Sequence, residues 1–450
     1  MRDRPMVSRR LLAAAGGLAL ATPFIPRAGA QSRPEVQFWY GLGGPLGEIV
    51  QDVVKKFNES QSQVTVVATF KGSYVETLTA AIAAWRANQA PHIVQMFEVG
   101  TGSMMAAGPA IKPVHQLFAD AGMTVDVNQY LPGVRGYYST TDGKLMSMPF
   151  NSSTSVMWYN KDAFKAAGLD PEKPPATWPA LREAAKKLLA AKATPGVMTT
   201  SWPTWIQFEQ LGAIHDKPFA TLANGFGGLG TELQINAPLF VNHLTTLVEM
   251  NKEGTFKYGG RDNTPDPLFP AGDVAIGFMS SGSRAQIARD SKFAWAPGFL
   301  PFYPDAIGSP INSVIGGASL WVMTAPNRSA TEYKGVAEFF QFLSRPENDA
   351  DWHQRTGYVP ITFGGYELSR KQGFYEKNPG ADLPIQQLTR GTMTDNSKGF
   401  RLGRMVELRN IIQEEMEKSL QGNQTPKQAL DLAVSRGNRV LRDFERQNRG

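Results

Sequence analysis

Over the first hundred residues the apolar positions alternate between two spacings, and each change of spacing marks an element. Residues 36–40 form a short apolar run that reads as a strand and stops at the glycine- and proline-rich stretch 41–45. Ile49, Val53, Val54 and Phe57 then recur at helical spacing and predict a helix over 46–58. Residues 63–70 alternate with β-branched side chains and predict a second strand. Ser73, with Glu76 three residues on, makes a capping box and predicts a helix over 74–87. Residues 93–97 are a third apolar strand. Strands alternating with helices imply an α/β fold with parallel sheets.

The pattern persists further along with longer loops. Thr177, after Pro174-Pro175-Ala176, caps a helix predicted over 178–191. Residues 274–279 and 318–323 read as buried strands, 284–290 and 335–343 as helices, and the tail as helices near 403–420 and 426–445. Thr425 as N-cap and Pro426 at the first helical position open the last of these. No repeat, low-complexity tract or obvious linker divides the chain. Two lobes without a linker imply that the backbone crosses between them more than once.

The N-terminus changes the picture most. Ser8-Arg9-Arg10-Leu11-Leu12 leads into an uncharged stretch up to Pro26, and Ala28-Gly29-Ala30 supplies small residues before Gln31. This pattern predicts an export signal of twin-arginine type over residues 1–30, cleaved near Ala30, with the remainder soluble in an extracytoplasmic compartment. Removing these residues takes five arginines and one aspartate and leaves 420 of 450 residues, with 41 basic against 39 acidic, a net of +2. A near-neutral chain has no electrostatic reason to seek nucleic acid. The chain contains no cysteine, which excludes disulfides, thiol catalysis, thiolate metal sites and a lipid-modified cysteine.

Little in the sequence suggests bond-making chemistry. His92, His115, His215, His243 and His353 show no metal-ligand spacing and read as surface or satisfied core histidines. The Gly41-Leu42-Gly43-Gly44-Pro45-Leu46-Gly47 loop lacks the third glycine of a dinucleotide fingerprint. There is no phosphate-binding P-loop and no nucleophile elbow. No enzyme, cofactor or metal is expected. Small polar and aromatic residues gather at turns instead: Lys71-Gly72-Ser73-Tyr74, Asn151-Ser152-Ser153-Thr154, Ser280-Ser281-Gly282-Ser283 and Gly316-Gly317-Ala318-Ser319. Such turns suit an anionic or hydroxylated ligand, and Trp39, Tyr40, Tyr74, Trp202, Trp205 and Tyr358 offer walls for one. Trp178 reads as core.

Trp158-Tyr159-Asn160-Lys161-Asp162-Ala163-Phe164, Ala167-Gly168-Leu169-Asp170-Pro171 and Pro174-Pro175-Ala176-Thr177-Trp178 together resemble the signature of the family 1 solute-binding proteins of ABC importers, the group of the maltose-binding protein. Phe269-Pro270-Ala271-Gly272-Asp273-Val274-Ala275 resembles a second marker of that group. Phe97-Glu98-Val99-Gly100-Thr101, Pro149-Phe150-Asn151-Ser152-Ser153-Thr154, Ile315-Gly316-Gly317-Ala318-Ser319-Leu320-Trp321, Trp352-His353-Gln354 with Thr356-Gly357-Tyr358, and residues 373–382 resemble its sn-glycerol-3-phosphate-binding subfamily. The likeness spans essentially the whole mature chain. It departs at the glycine-enriched 39–45 stretch and between Ala193 and Ser201.

The resemblance implies a two-lobed α/β binding protein of type II, with ligand in the inter-lobe cleft and several crossing hinge segments. It implies an N-terminal lobe of 31–149 with 316–358, and a C-terminal lobe of 150–315 with 359–450. Position by position it implies ligand contacts at Tyr74, Glu98, Ser153, Ser280, Gly317, Tyr358 and Arg409, with Trp202 as a wall. Arg409 would offer its fork to phosphate oxygens, and Ser153, Ser280, Tyr358 and the Gly317 amide would share the remaining lone pairs. Glu98 would accept from two glycerol hydroxyls. Lys398, Arg401 and Arg404 are second-rank cations. Alanine at 409 is expected to abolish binding without unfolding the chain. The implied function is capture of sn-glycerol-3-phosphate or a glycerophosphodiester by a monomer, for delivery to membrane permease subunits. The alternatives are a neutral-oligosaccharide binder or a secreted glycerophosphodiester hydrolase.

Overall fold

The structure is a computed structural model that describes residues 33–449. The predicted export signal lies outside the described residues. Ten strands are present among them: β1 Glu35–Tyr40, β2 Thr65–Phe70, β3 Ile93–Phe97, β4 Ile111–Lys112, β5 Met148–Ser153, β6 Ser155–Asn160, β7 Gly196–Thr200, β8 Val274–Ser280, β9 Trp295–Gly298 and β10 Gly316–Met323. They form two sheets. The first runs β2-β1-β3-β10-β4, with β5 also paired to β10; the second runs β7-β8-β6-β9.

The parallel sheets expected from sequence are found only in part. β1 is parallel to β2 and β3, and β7 to β8. However, β10 runs antiparallel to β3, β4 and β5, and β6 runs antiparallel to β8 and β9. The reason is the route of the chain. Thr154 alone separates β5 from β6, so the backbone passes from one sheet to the other without turning back, and β10 re-enters the first sheet after the whole second sheet has been built.

That crossing is pinned by hydrogen bonds. The buried Thr154 hydroxyl bonds the Ser313 hydroxyl at 2.8 Å and donates to the Val314 carbonyl at 3.1 Å, so two crossing segments lie side by side. Later in the chain the Val359 amide donates to the Ser152 carbonyl at 2.8 Å. The helix Phe363–Lys371 packs on Pro346–Thr356, and Gln387 then ties Ser155 and Leu300 together.

The helices form where their caps predict. Ser73 and Glu76 exchange bonds at the start of Tyr74–Arg86, Thr177 caps Trp178–Ala191, and Thr425 caps Pro426–Asn448. The helix expected from 335 starts five residues earlier, at Ala330, because Ser329 and Glu332 form a capping box overlooked in the sequence. One apolar cluster centres on Phe38, Val50, Phe150, Leu320, Phe339 and Trp352 around the first sheet. A larger one joins Val94, Met96 and Trp321 to Trp178, Phe278, Leu408 and Leu430. Trp178 stacks on Phe278 with ring centroids 5.6 Å apart, a core residue as read.

Candidate functional site

The antiparallel entry of β10 places its first residues beside the last residues of its neighbours. Gly316 pairs with Ser153 at the end of β5, and Ala318 pairs with Phe97 at the end of β3. Ser155, just past the crossing, pairs with Ser280 at the end of β8. Strand ends of both sheets therefore converge on one crevice, where α/β proteins generally hold ligands. The crevice is a cavity of about 440 Å³, and Tyr74, Glu98, Ser153, Trp202, Ser280, Gly317, Tyr358 and Arg409 all line it.

Two glycines make this convergence possible. Gly317 has φ +85°, and a Cβ there would lie 1.8 Å from the Asn151 carbonyl oxygen. A Cβ on Gly282 would lie 2.7 Å from the Tyr358 ring, so glycine lets the turn after β8 close onto that tyrosine. Tyr358 is held from behind by stacking on Trp352, centroids 6.0 Å apart and planes within 8°. On the opposite wall Tyr74 opens its helix, stacks on Phe97 at 5.3 Å, and takes a hydrogen bond from Asn151 Nδ2 at 2.8 Å. Burial raises the phenols of Tyr74 and Tyr358 above their ordinary value, so both stay protonated and able to donate. Trp202 stands 6.4 Å from Tyr74; its backbone has a positive φ of 44°, and its amide N–H donates a hydrogen bond to the Asp262 carbonyl at 2.7 Å.

Arg409 is not the free fork that the sequence reading expected. Its Nε and Nη2 donate to the two Glu209 oxygens, each at 2.7 Å, and Nη2 also donates to Glu98 Oε1 at 2.6 Å. All three side chains are buried, at 6 % exposure for Arg409, 1 % for Glu209 and 4 % for Glu98. Burial acts to lower the Arg409 pKa, but the two carboxylates outweigh it and hold the guanidinium charged. Among the described residues only Nη1 makes no bond, which leaves one edge of the group for a ligand. Glu98, read as a carboxylate devoted to ligand hydroxyls, already spends one oxygen on this clasp.

Trp205, expected as a wall, lines the cavity from the π-helical turn Trp205–Glu209. Other residues carried little or no sequence signal: the same turn brings Glu209 to Arg409, and no periodicity announces such a turn. Asp266 also lines the cavity, from the short 3-10 turn Asp266–Leu268 that no sequence pattern announced, and accepts from the hydroxyls of Ser201 and Ser283. Burial pushes its carboxyl up to about 7. Gly41–Leu46 borders the cavity as well, despite departing from the subfamily pattern.

The second-rank cations stand elsewhere. Lys398 pairs with Asp395 and Arg404 with Glu407, and Arg401 donates to the carbonyls of Gly136, Tyr137 and Ser139. No group of His, Asp and Glu able to hold a metal occurs among the described residues. All five histidines are hydrogen-bonded within the fold.

Residues 52–380 match the family model described as "Bacterial extracellular solute-binding protein". The chain is 48% identical over 423 residues to the sn-glycerol-3-phosphate-binding periplasmic protein UgpB of Pectobacterium atrosepticum, covering 94% of each chain. It is 46% identical to the protein of the same name from Salmonella typhimurium, covering 96% of this chain and 98% of that one. UgpB of Mycobacterium tuberculosis, solved with glycerophosphocholine, superposes with a TM-score of 0.76 at 20% identity, over 92% of this chain and 99% of that one. The cyclic α-maltosyl-1,6-maltose binding protein of Arthrobacter globiformis gives a TM-score of 0.71 at 22% identity, over 92% and 100%. These two superpositions establish the fold, a two-lobed periplasmic binding protein.

Proposed function

The chain belongs to the bacterial extracellular solute-binding proteins, and from that premise we propose that it is a periplasmic binding subunit of an ABC importer that captures sn-glycerol-3-phosphate or a glycerophosphodiester such as glycerophosphocholine. The observation that carries this reading is the convergence of all eight expected residues on one cavity, with the Nη1 edge of a permanently charged Arg409 open to it. That edge and the hydroxyls of Ser153, Ser280 and Tyr358 suit phosphate oxygens. Tyr74 and Trp202 cover the carbon skeleton, and Glu98 retains one oxygen for glycerol hydroxyls. The identity to relatives named for sn-glycerol-3-phosphate supports the same ligand class.

The protein works by binding, with no bond made or broken, and delivers the ligand as a monomer to the permease. The lobes are 31–149 with 316–358 and 150–315 with 359–450, except that β5 and the helix Phe363–Lys371 stay with the sheet and helix on which they pack. Ligand drives lobe closure only through contacts that are better in the closed state.

Titration calorimetry of the mature chain with sn-glycerol-3-phosphate, glycerophosphocholine and maltose tests the reading. Binding of either phosphate ester with maltose silent is the expected result. Maltose binding with silent phosphate esters would retain the fold and discard the phosphate site.

A further inference from the structure

Asp266 is the one acid of the cavity wall without a cation. Glu98 shares Arg409 with Glu209, whereas Asp266 receives only serine hydroxyls, Ser201 on one oxygen and Ser283 at 3.4 Å on the other. Among the described residues no lysine, arginine or histidine forms an ion pair with it. Asp266 is half-buried, and a carboxylate shielded from water without a counter-ion is stabilised either by taking up a proton or by a cation supplied from outside. The cavity is open to a ligand, and its walls include the rings of Tyr74, Phe97 and Trp202, faces that attract a cationic group.

The surrounding charges sharpen the point. Two carboxyls, Glu98 and Glu209, share the one guanidinium of Arg409, and burial already raises the Glu98 carboxyl, so ionised Asp266 adds a negative charge that Arg409 does not offset. Of the other charged and titratable groups, Arg289 lines the same cavity from the helix after the Ser281–Ser283 turn, as do the phenols of Tyr74 and Tyr358, and Asp262 lies just before Asp266 in the chain. Arg289 is engaged with Asp290, and burial raises the carboxyl of Asp262 and both phenols.

We propose that Asp266 is a specificity-determining residue of this cavity: its carboxylate takes the cationic headgroup of a zwitterionic phosphodiester as its counter-ion and disfavours ligands whose charge is only negative. The inference rests on the phosphate-ester reading of the site. It makes selectivity depend on pH, because with a value of about 7 Asp266 is charged at pH 8 and neutral at pH 5.5.

Calorimetry with two diesters that differ in headgroup charge, glycerophosphocholine and glycerophosphoglycerol, isolates this effect, since neither ligand titrates between these pH values. At pH 8 the wild type is expected to favour the choline diester by about tenfold. In Asp266→Asn that ratio falls to roughly threefold or less and no longer moves with pH. The wild type at pH 5.5 reproduces the variant's ratio without any substitution, so the outcome does not hinge on how well the variant folds. A ratio unchanged by both pH and substitution overturns the inference and leaves the phosphate-ester reading standing. If neither diester nor sn-glycerol-3-phosphate binds the wild type, the reading itself fails and takes the inference with it.

Discussion

Arg409 shows how a residue expected at the cavity can have partners that the sequence does not announce. Its position among the cavity-lining groups was legible because the chain resembles a family. Its two carboxylate partners were not, since Glu209 lies 200 residues away on a π-helical turn and only the fold brings them together. The partners change the outcome of the obvious substitution. Arg409→Ala removes the cation from between two buried carboxylates, and breaking a buried ion pair in this way costs about 3–5 kcal/mol. The variant is therefore expected to lose phosphate-ester binding and also to melt well below the wild type, contrary to the expectation of an intact fold. Arg409→Ala combined with Glu209→Gln should regain part of the melting temperature and none of the binding. Thermal unfolding and calorimetry on the same two samples check both halves; unchanged melting of the single variant would mean that the clasp contributes nothing to stability. Asp266 marks the opposite case, a cavity residue to which neither periodicity nor motif pointed.

Among the elements, those with local causes were legible and those set by distant partners were not. Ser73, Thr177 and Thr425 cap their helices through hydrogen bonds within three residues, so the sequence window that predicts them contains the whole interaction. The direction of β10 has no such local cause. It depends on where the chain re-enters the first sheet, which is why parallel sheets were expected and mixed ones formed. The same strand carries the most constrained backbone of the site. An L side chain at Gly317 meets a positive φ and the Asn151 carbonyl together, so Gly317→Ala should destabilise by about 2 kcal/mol or more. To relieve the clash β5 and β10 must separate, which moves Ser153 away from the cavity. Affinity for the ester should then fall more than the change in stability alone accounts for. Urea unfolding with calorimetry separates the two effects, and a variant that binds normally while less stable would show that this register matters to the fold and not to the site.

At the scale of the molecule, three buried histidines make the fold sensitive to acid. His215 accepts from the Tyr303 amide at 2.9 Å, His243 bridges Gln207 and Tyr303 at 3.0 Å each, and His353 bonds the Tyr358 carbonyl at 2.6 Å and the Tyr375 hydroxyl at 3.0 Å. With both ring nitrogens engaged and little water near, burial lowers their values from 6.5 to about 4, 3 and 4. Between those values and 6.5 the unfolded chain binds protons that the native chain refuses. Their stability is therefore complete above pH 6.5 and is lost as the pH falls below it. Asp266 and Asp349 act in the opposite sense, because burial raises them to about 7 and about 6 and the native chain binds their protons first. His92, lowered by burial, adds to the histidines, and Glu98 and Asp262, raised by burial, add to the acids, so the histidine part is read from a single-site variant and not from the slope of the wild type alone. His243→Gln removes one histidine and keeps a polar group beside Gln207 and Tyr303. Its stability at pH 8 should be lower than that of the wild type, but its decline between pH 6.5 and 4.5 should be shallower by about one proton, or about 1.4 kcal/mol per pH unit. Urea denaturation at half-unit steps across that range measures the slope directly. Parallel slopes for the two proteins would mean that His243 accepts its proton inside the fold, and the acid sensitivity would then have to come from His215 and His353.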